Sequence, residues 1–171
     1  QTAVRTLQEV NETEPVKFLD TLNRTIYRNL ERMNSDKNLT LAILDYDEGT
    51  LSLSGQHEEM IVLRADGEIE QIDTIDLGFP IGLDAEIAEF IATQQVQLNP
   101  RDVVILYTDG ITEAENLNRE QYGLDRLISV VSCNSSQPAE AIRQAVIEDV
   151  RRHIGEQKVF DDLTLVVLKQ K

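Results

Sequence analysis

A chain of 171 residues, 41% hydrophobic and 27% charged, has the length and composition of one globular domain with a substantial core. Sixteen Lys and Arg against 31 Asp and Glu leave a net charge of −15, which argues against nucleic acid or an anionic membrane as a partner. No apolar run approaches the roughly 20 residues of a membrane span, and no signal-peptide pattern opens the chain. The single Cys133 excludes an intrachain disulfide and suits a reducing cytoplasm.

In chain order, a first long helix is expected from about Thr13, with Pro15 in its first turn. Its apolar stripe is Val16, Leu19, Leu22, Ile26, Leu30 and Met33, spaced by three and four. A hairpin follows: Leu39 to Asp45, a turn at Asp47-Glu48-Gly49, then Thr50 to Ser54. A second hairpin pairs Ile61–Arg64 with Ile69–Ile72 around an Asp66-Gly67 turn. Ile87 to Leu98 reads as one strand ended by Asn99-Pro100, and Asp102 to Tyr107 as the next. Two helices are expected, from Leu124 to about Val131 and from Ser136-Gln137-Pro138 onward, the latter turning Ala141, Ile142, Ala145, Val146 and Val150 inward. Leu163 to Leu168 is the last strand. Hairpins with grouped helices indicate an α+β domain of mainly antiparallel sheets with helices packed outside.

Two strand ends carry aspartates. Val103–Tyr107 is five apolar residues, four of them β-branched or aromatic, and reads as a strand buried on both faces. It runs into Thr108-Asp109-Gly110, whereas Asp161-Asp162 opens the final strand. If the two strands are antiparallel neighbours, Asp109 and Asp161 meet at one sheet edge. Paired carboxylates in a chain without CxxC or HxxxH spacing suit hard divalent cations.

The run Leu106-Tyr107-Thr108-Asp109-Gly110-Ile111-Thr112-Glu113-Ala114, then Tyr122-Gly123, then Asp161-Asp162-Leu163-Thr164, resembles the PPM (type 2C) metal-dependent Ser/Thr protein phosphatases, and within them the SpoIIE-like branch. Gly78-Phe79-Pro80-Ile81-Gly82-Leu83 matches that branch as well, and Ser54-Gly55-Gln56-His57 matches it loosely. The resemblance implies a layered sandwich flanked by helices. It implies hydrolysis of phosphoserine or phosphothreonine on a regulatory protein, an anti-sigma-factor antagonist, by a hydroxide bridging two Mn²⁺ or Mg²⁺ ions. Asp109 and Asp161 would be the catalytic metal ligands, with Thr108, Gly110, Asp162 and Thr164 as supports around them. Gly110 would permit the turn, and an upstream sensor or receiver domain would control the enzyme.

The same resemblance exposes a shortfall. The family's N-terminal Gly-Asp hairpin and its Gly-Asp-x-Ser-Gly-x-Gly turn have no counterpart here, and Gln1–Leu7 looks like the later turns of the helix that follows them. The chain is therefore read as one domain's C-terminal and larger part, carrying half of a site and weakly active or inactive alone. The alternative is a catalytically silent, phosphatase-like regulatory module. Missing strands would expose a sheet edge and favour a homodimer. Elsewhere, Asp45–Thr50 lacks the spacing of an EF-hand or a dehalogenase-type phosphatase, and Gly78–Leu83 lacks the Lys of a P-loop. His57 is expected to pack or hydrogen-bond, and His153 to act as a cation at a helix C-terminus.

Overall fold

The computed structural model describes residues 2–9, 12–158 and 162–171. These form two compact units, one of Gln1–His57 with Asp73–Gln97 and one of Glu58–Ile72 with Leu98–Lys171.

The first unit opens with helices α1 (Thr2–Glu9) and α2 (Pro15–Met33). Pro15 occupies the first turn of α2 as expected, but the cap is Glu14 rather than Thr13. Its carboxylate accepts from the N–H groups of Val16 and Lys17 at 3.1 and 2.8 Å. At the other end Asn34 turns left-handed (φ 49°) and closes the helix. Leu19 and Leu22 are buried, whereas Met33 is 74% exposed, because the stripe drifts off the core face by the last turn. Strands β1 (Ile43–Asp47) and β2 (Thr50–Ser54) form the first hairpin, and β5 (Thr93–Gln97) pairs antiparallel with β2. Positive φ at both Glu48 and Gly49 gives the mirror-image turn that right-twisted hairpin strands favour. The hairpin starts later than predicted, since Leu39 instead bridges to Ile81. The expected strand Ile87–Leu98 is also divided. Ala88–Phe90 forms a 3₁₀ turn, and Ile87 and Ile91 flank it in a core with Leu19 and Ile81.

Two motif loops meet inside this unit. The Gly55 N–H donates to the Leu77 carbonyl at 2.8 Å, and a Cβ built on Gly78 would lie 2.6 Å from Gly55 Cα. Gly55 itself has φ +93°, and its Cβ would fall 2.2 Å from the Leu41 carbonyl oxygen. Gly55→Ala should therefore combine left-handed strain of about 1–2 kcal/mol with a backbone clash. Thermal denaturation should show a Tm drop of at least about 4 °C. Gly67→Ala (φ +96°), with nothing within 4 Å of the new methyl, should lose clearly less.

The second unit is a four-stranded antiparallel sheet in the order β4 (Ile69–Ile72), β3 (Met60–Leu63), β6 (Val103–Tyr107), β7 (Leu165–Lys169). Helices α4 (Leu124–Asn134) and α5 (Ala139–Ile154) join Ile61, Leu63, Val103, Ile105 and Tyr107 in one core. Both faces of β6 are covered, as its unbroken apolar run requires. On α5, Ile142, Val146, Val150 and Ile154 are buried, but Ala141 faces solvent, so the inward stripe is narrower than predicted. The short helix α3 (Asp109–Thr112) follows β6 directly and was not foreseen from the sequence.

Candidate active site

The juxtaposition expected of the two aspartate-bearing strand ends rests on their pairing, and β6 and β7 are antiparallel neighbours whose last matched pair is Tyr107 with Leu165. Beyond it Thr108 works as a staple. Its N–H donates to the Thr164 carbonyl at 3.2 Å, and its hydroxyl accepts from the Thr164 N–H at 3.2 Å. The same hydroxyl donates to the Asp162 carbonyl at 3.1 Å. Thr108, Asp162 and Thr164 therefore meet at one sheet edge. Asp161 lies outside the described residues.

Asp109 is exposed at the start of α3. One carboxylate oxygen, Oδ1, accepts from the Gly110 N–H at 2.8 Å, and Oδ2 has no protein donor among the described residues. The fully buried Ile111 anchors α3 in the core beneath it. Gly110 was expected to open a turn. It sits instead in helical backbone, buried, without the positive φ that six other glycines adopt. The close packing and the N–H, rather than conformational freedom, are what it contributes. Tyr107, the last strand residue, is a core side chain; burial pushes its phenol up to about 12, with Glu58 and Glu59 adding to the effect.

A polar network behind the loop was not legible in the sequence. The Tyr122 hydroxyl donates to Asp149 Oδ2 at 3.0 Å, and the Arg126 guanidinium donates to both oxygens of the same carboxylate at 2.8 and 3.3 Å. The Arg126 hydrogen bond holds the Asp149 carboxyl below the usual range against the opposing effect of burial. Burial first, and Asp149 second, push the Tyr122 phenol up. Arg126 also donates to His153 Nδ1 at 3.0 Å, so the ring proton lies on Nε2, which donates to the Glu120 carbonyl at 2.9 Å. His153 thus sits in the last turn of α5, as expected, and bridges Arg126 to the Glu120 carbonyl. Backbone bonds from Tyr122 to Ala114 and from Gly123 to Thr112, both 2.9 Å, tie the loop after Asp109 to this network. The Tyr122-Gly123 pair marked the position, but the acceptor of its hydroxyl, Asp149, lies 27 residues away on α5, beyond any local pattern.

In the other unit, His57 hydrogen-bonds, as expected: its Nδ1 lies 3.0 Å from the Thr40 hydroxyl and its N–H donates to Thr74 at 2.9 Å. The Gly78–Leu83 loop is explained by packing. Ile81 is buried, and the Gly82 N–H donates to the buried Asn23 side chain at 2.8 Å.

With this geometry established, comparison with known proteins identifies the architecture as that of PP2C-type phosphatase domains. The PP2C domain of SiaA from Pseudomonas aeruginosa superposes with a TM-score of 0.79 at 17% identity, covering 99% of this chain and 67% of that one. The catalytic domain of the serine/threonine phosphatase PstP, solved with two manganese ions, gives a TM-score of 0.62 at 18% identity, covering 98% and 78%. The chain belongs to the stage II sporulation protein E (SpoIIE) family, whose model matches residues 1–171. The phosphoserine phosphatase RsbU of Bacillus subtilis is 25% identical over 163 residues, which are 92% of this chain and 45% of RsbU. The chain spans less than half the length of the curated relatives it matches.

Proposed function

We propose that the intact protein is a metal-dependent phosphatase acting on phosphoserine or phosphothreonine of a regulatory protein, an anti-sigma-factor antagonist. In this reading residues 1–171 are the C-terminal and larger part of one cytoplasmic phosphatase domain, controlled by an upstream sensor or receiver domain. Family membership supports the class of reaction. The observation that carries the site is the β6–β7 pairing, which places Asp109 at the edge where residues 162–164 enter the sheet.

The donors fit Mn²⁺ or Mg²⁺ in kind. Asp109 offers an exposed carboxylate with one uncommitted oxygen, the hard ligand such cations select. No group of three or more His, Cys, Asp or Glu among the described residues is arranged to hold a metal. Asp161 is the proposed second ligand. When bound, the two cations of a complete site supply charge neutralisation and an activated water. The chain's own residues do the positioning. The Gly110 N–H orients the Asp109 carboxylate, and Thr108 fixes the spacing of the two strand ends through Asp162 and Thr164. Ile111 and the Tyr122 network keep the loop from shifting.

Asp109 and Asp161 are fewer carboxylates than a two-metal site takes, so residues 1–171 alone should turn over at most weakly. That shortage also motivates a second reading, a phosphatase-like module that binds without hydrolysing. One assay separates them: release of phosphate from a phosphoserine protein by the intact protein, with and without millimolar Mn²⁺. Metal-dependent release is expected, whereas an intact protein that is inert with Mn²⁺, and with Mg²⁺ in its place, would leave only the binding module. Light scattering of residues 1–171 alone should report a homodimer.

A further inference from the structure

At the opposite end of the β6–β7 pair lies a cavity of about 200 Å³ lined by Leu63, Arg64, Ala65, Arg101, Ser135, Ser136 and Lys169. Three of these seven are cations and none is an acid, in a chain whose acids outnumber its bases almost two to one. We propose that this cavity binds a small oxyanion, a phosphoryl group or free phosphate, held by the Arg101 guanidinium, the Lys169 ammonium and the Ser135 and Ser136 hydroxyls. The site stands independently of any chemistry at Asp109, from which five residues of strand, about 17 Å, separate it.

The three cations are not equivalent. Arg64 is engaged by Glu70 at 2.7 Å and by Asp102 at 2.8 Å, so it builds the wall rather than attracting a ligand. Arg101 and Lys169 have no carboxylate partner among the described residues. Lys169 Nζ donates to the Ser135 and Gln137 carbonyls at 2.6 and 2.7 Å, which fixes its position and leaves a third N–H for a ligand.

Arg101 stands where its backbone is unfavourable. Asn99-Pro100-Arg101-Asp102 is a turn closed by the Asp102 N–H on the Asn99 carbonyl at 3.1 Å. Proline is second, and φ is +75° at the third position, where such a turn prefers glycine. A long cation at a glycine position carries a backbone cost, which the Arg101 N–H bond to the Gln170 carbonyl at 2.9 Å helps to offset while the side chain stays at the cavity. Arg101 and Ser136 are exposed, so solvent reaches the site. The volume falls below the roughly 300 Å³ at which pockets for drug-sized ligands begin, which suits a single phosphoryl group. Its charge-assisted hydrogen bonds to the two cations are the strong kind.

The test is an amide NMR titration of the metal-free 171-residue chain with sodium phosphate at constant ionic strength, sodium chloride serving as the control. Saturable shifts are expected at Ala65, Arg101, Ser135 and Ser136, and they should persist in Asp109→Asn. Arg101→Gly suits the turn and should keep the fold while weakening binding about tenfold, the loss of one charge-assisted bond. Lys169→Met should weaken it similarly. A phosphoserine tetrapeptide in parallel identifies the source, since tighter binding of either probe supports the site and names its ligand. Absence of saturable shifts with both probes, or an unchanged response in Arg101→Gly and Lys169→Met, would overturn the proposal.

Discussion

Replacing Asp109 by Ala should lower Mn²⁺-dependent phosphatase activity of the intact protein by more than about a hundredfold, the most that loss of outer support around a metal ligand costs. The effect should fall on kcat/KM and on the Mn²⁺ concentration needed for half-maximal rate. Stability should barely change, because Asp109 is exposed and its one described side-chain bond is to the neighbouring Gly110 N–H. Unaltered activity at saturating Mn²⁺ would remove Asp109 from the metal site. Thr108→Val tests the staple: it loses the bonds to Asp162 and Thr164 while keeping shape, and should reduce activity less than Asp109→Ala does.

The largest loss of stability is expected at Asp102, which is 1% exposed. Its carboxylate accepts from Arg64 at 2.8 Å and from the N–H groups of Ala65 and Asn99, both at 2.9 Å. Asp102→Ala leaves the Ala65 and Asn99 N–H groups without their acceptor and removes one of the carboxylates that hold Arg64, which keeps Glu70; each buried donor left unsatisfied costs about 1–3 kcal/mol. Urea denaturation should show it as a lower midpoint with an unchanged slope. Burial works to raise the Asp102 pKa, but the Asn99 N–H, Arg64 and the Ala65 N–H outweigh it and hold the carboxyl below its ordinary value. A depressed folded-state pKa means the contribution is complete above the unfolded value of about 3.9 and disappears as pH falls through the folded one. Asp149 has the same sign. Acid unfolding of the wild type should therefore set in below about pH 4, and Asp102→Ala should flatten that part of the profile.

What could be read from the sequence was local. The run Val103–Tyr107 declared a strand buried on both faces because no polar residue interrupts it, and Glu48-Gly49 declared its hairpin by turn chemistry. Ile87–Leu98 misled because apolar residues around a 3₁₀ turn alternate much as strand residues do, and periodicity cannot tell the two apart over so few positions. Met33 and Ala141 continued helical stripes past the point where a core remained to receive them. At the candidate site, Asp109 was legible from its strand-exit position, whereas α3 was hidden by Gly110, which signals a turn. The Tyr122–Arg126–Asp149–His153 network joins a loop to two helices, and Arg64–Asp102 joins the ends of two strands. Pairings across such separations leave no periodic trace in a single sequence.

The β6–β7 ladder is pinned at both ends: by Thr108 and Thr164 at one, and at the other by mutual backbone bonds between the 101–102 turn and Gln170, with Lys169 tethered to the carbonyls of Ser135 and Gln137. Sliding β7 by one residue would turn its inward side chains out, so the smallest tolerable slip is two residues, about 6.8 Å. Such a slip would tear both fastenings at once. The offset between Asp109 and the incoming residues at 162–164 is therefore quantised. Mutation or strain elsewhere in the sheet can leave that register correct or destroy it outright, with no register in between.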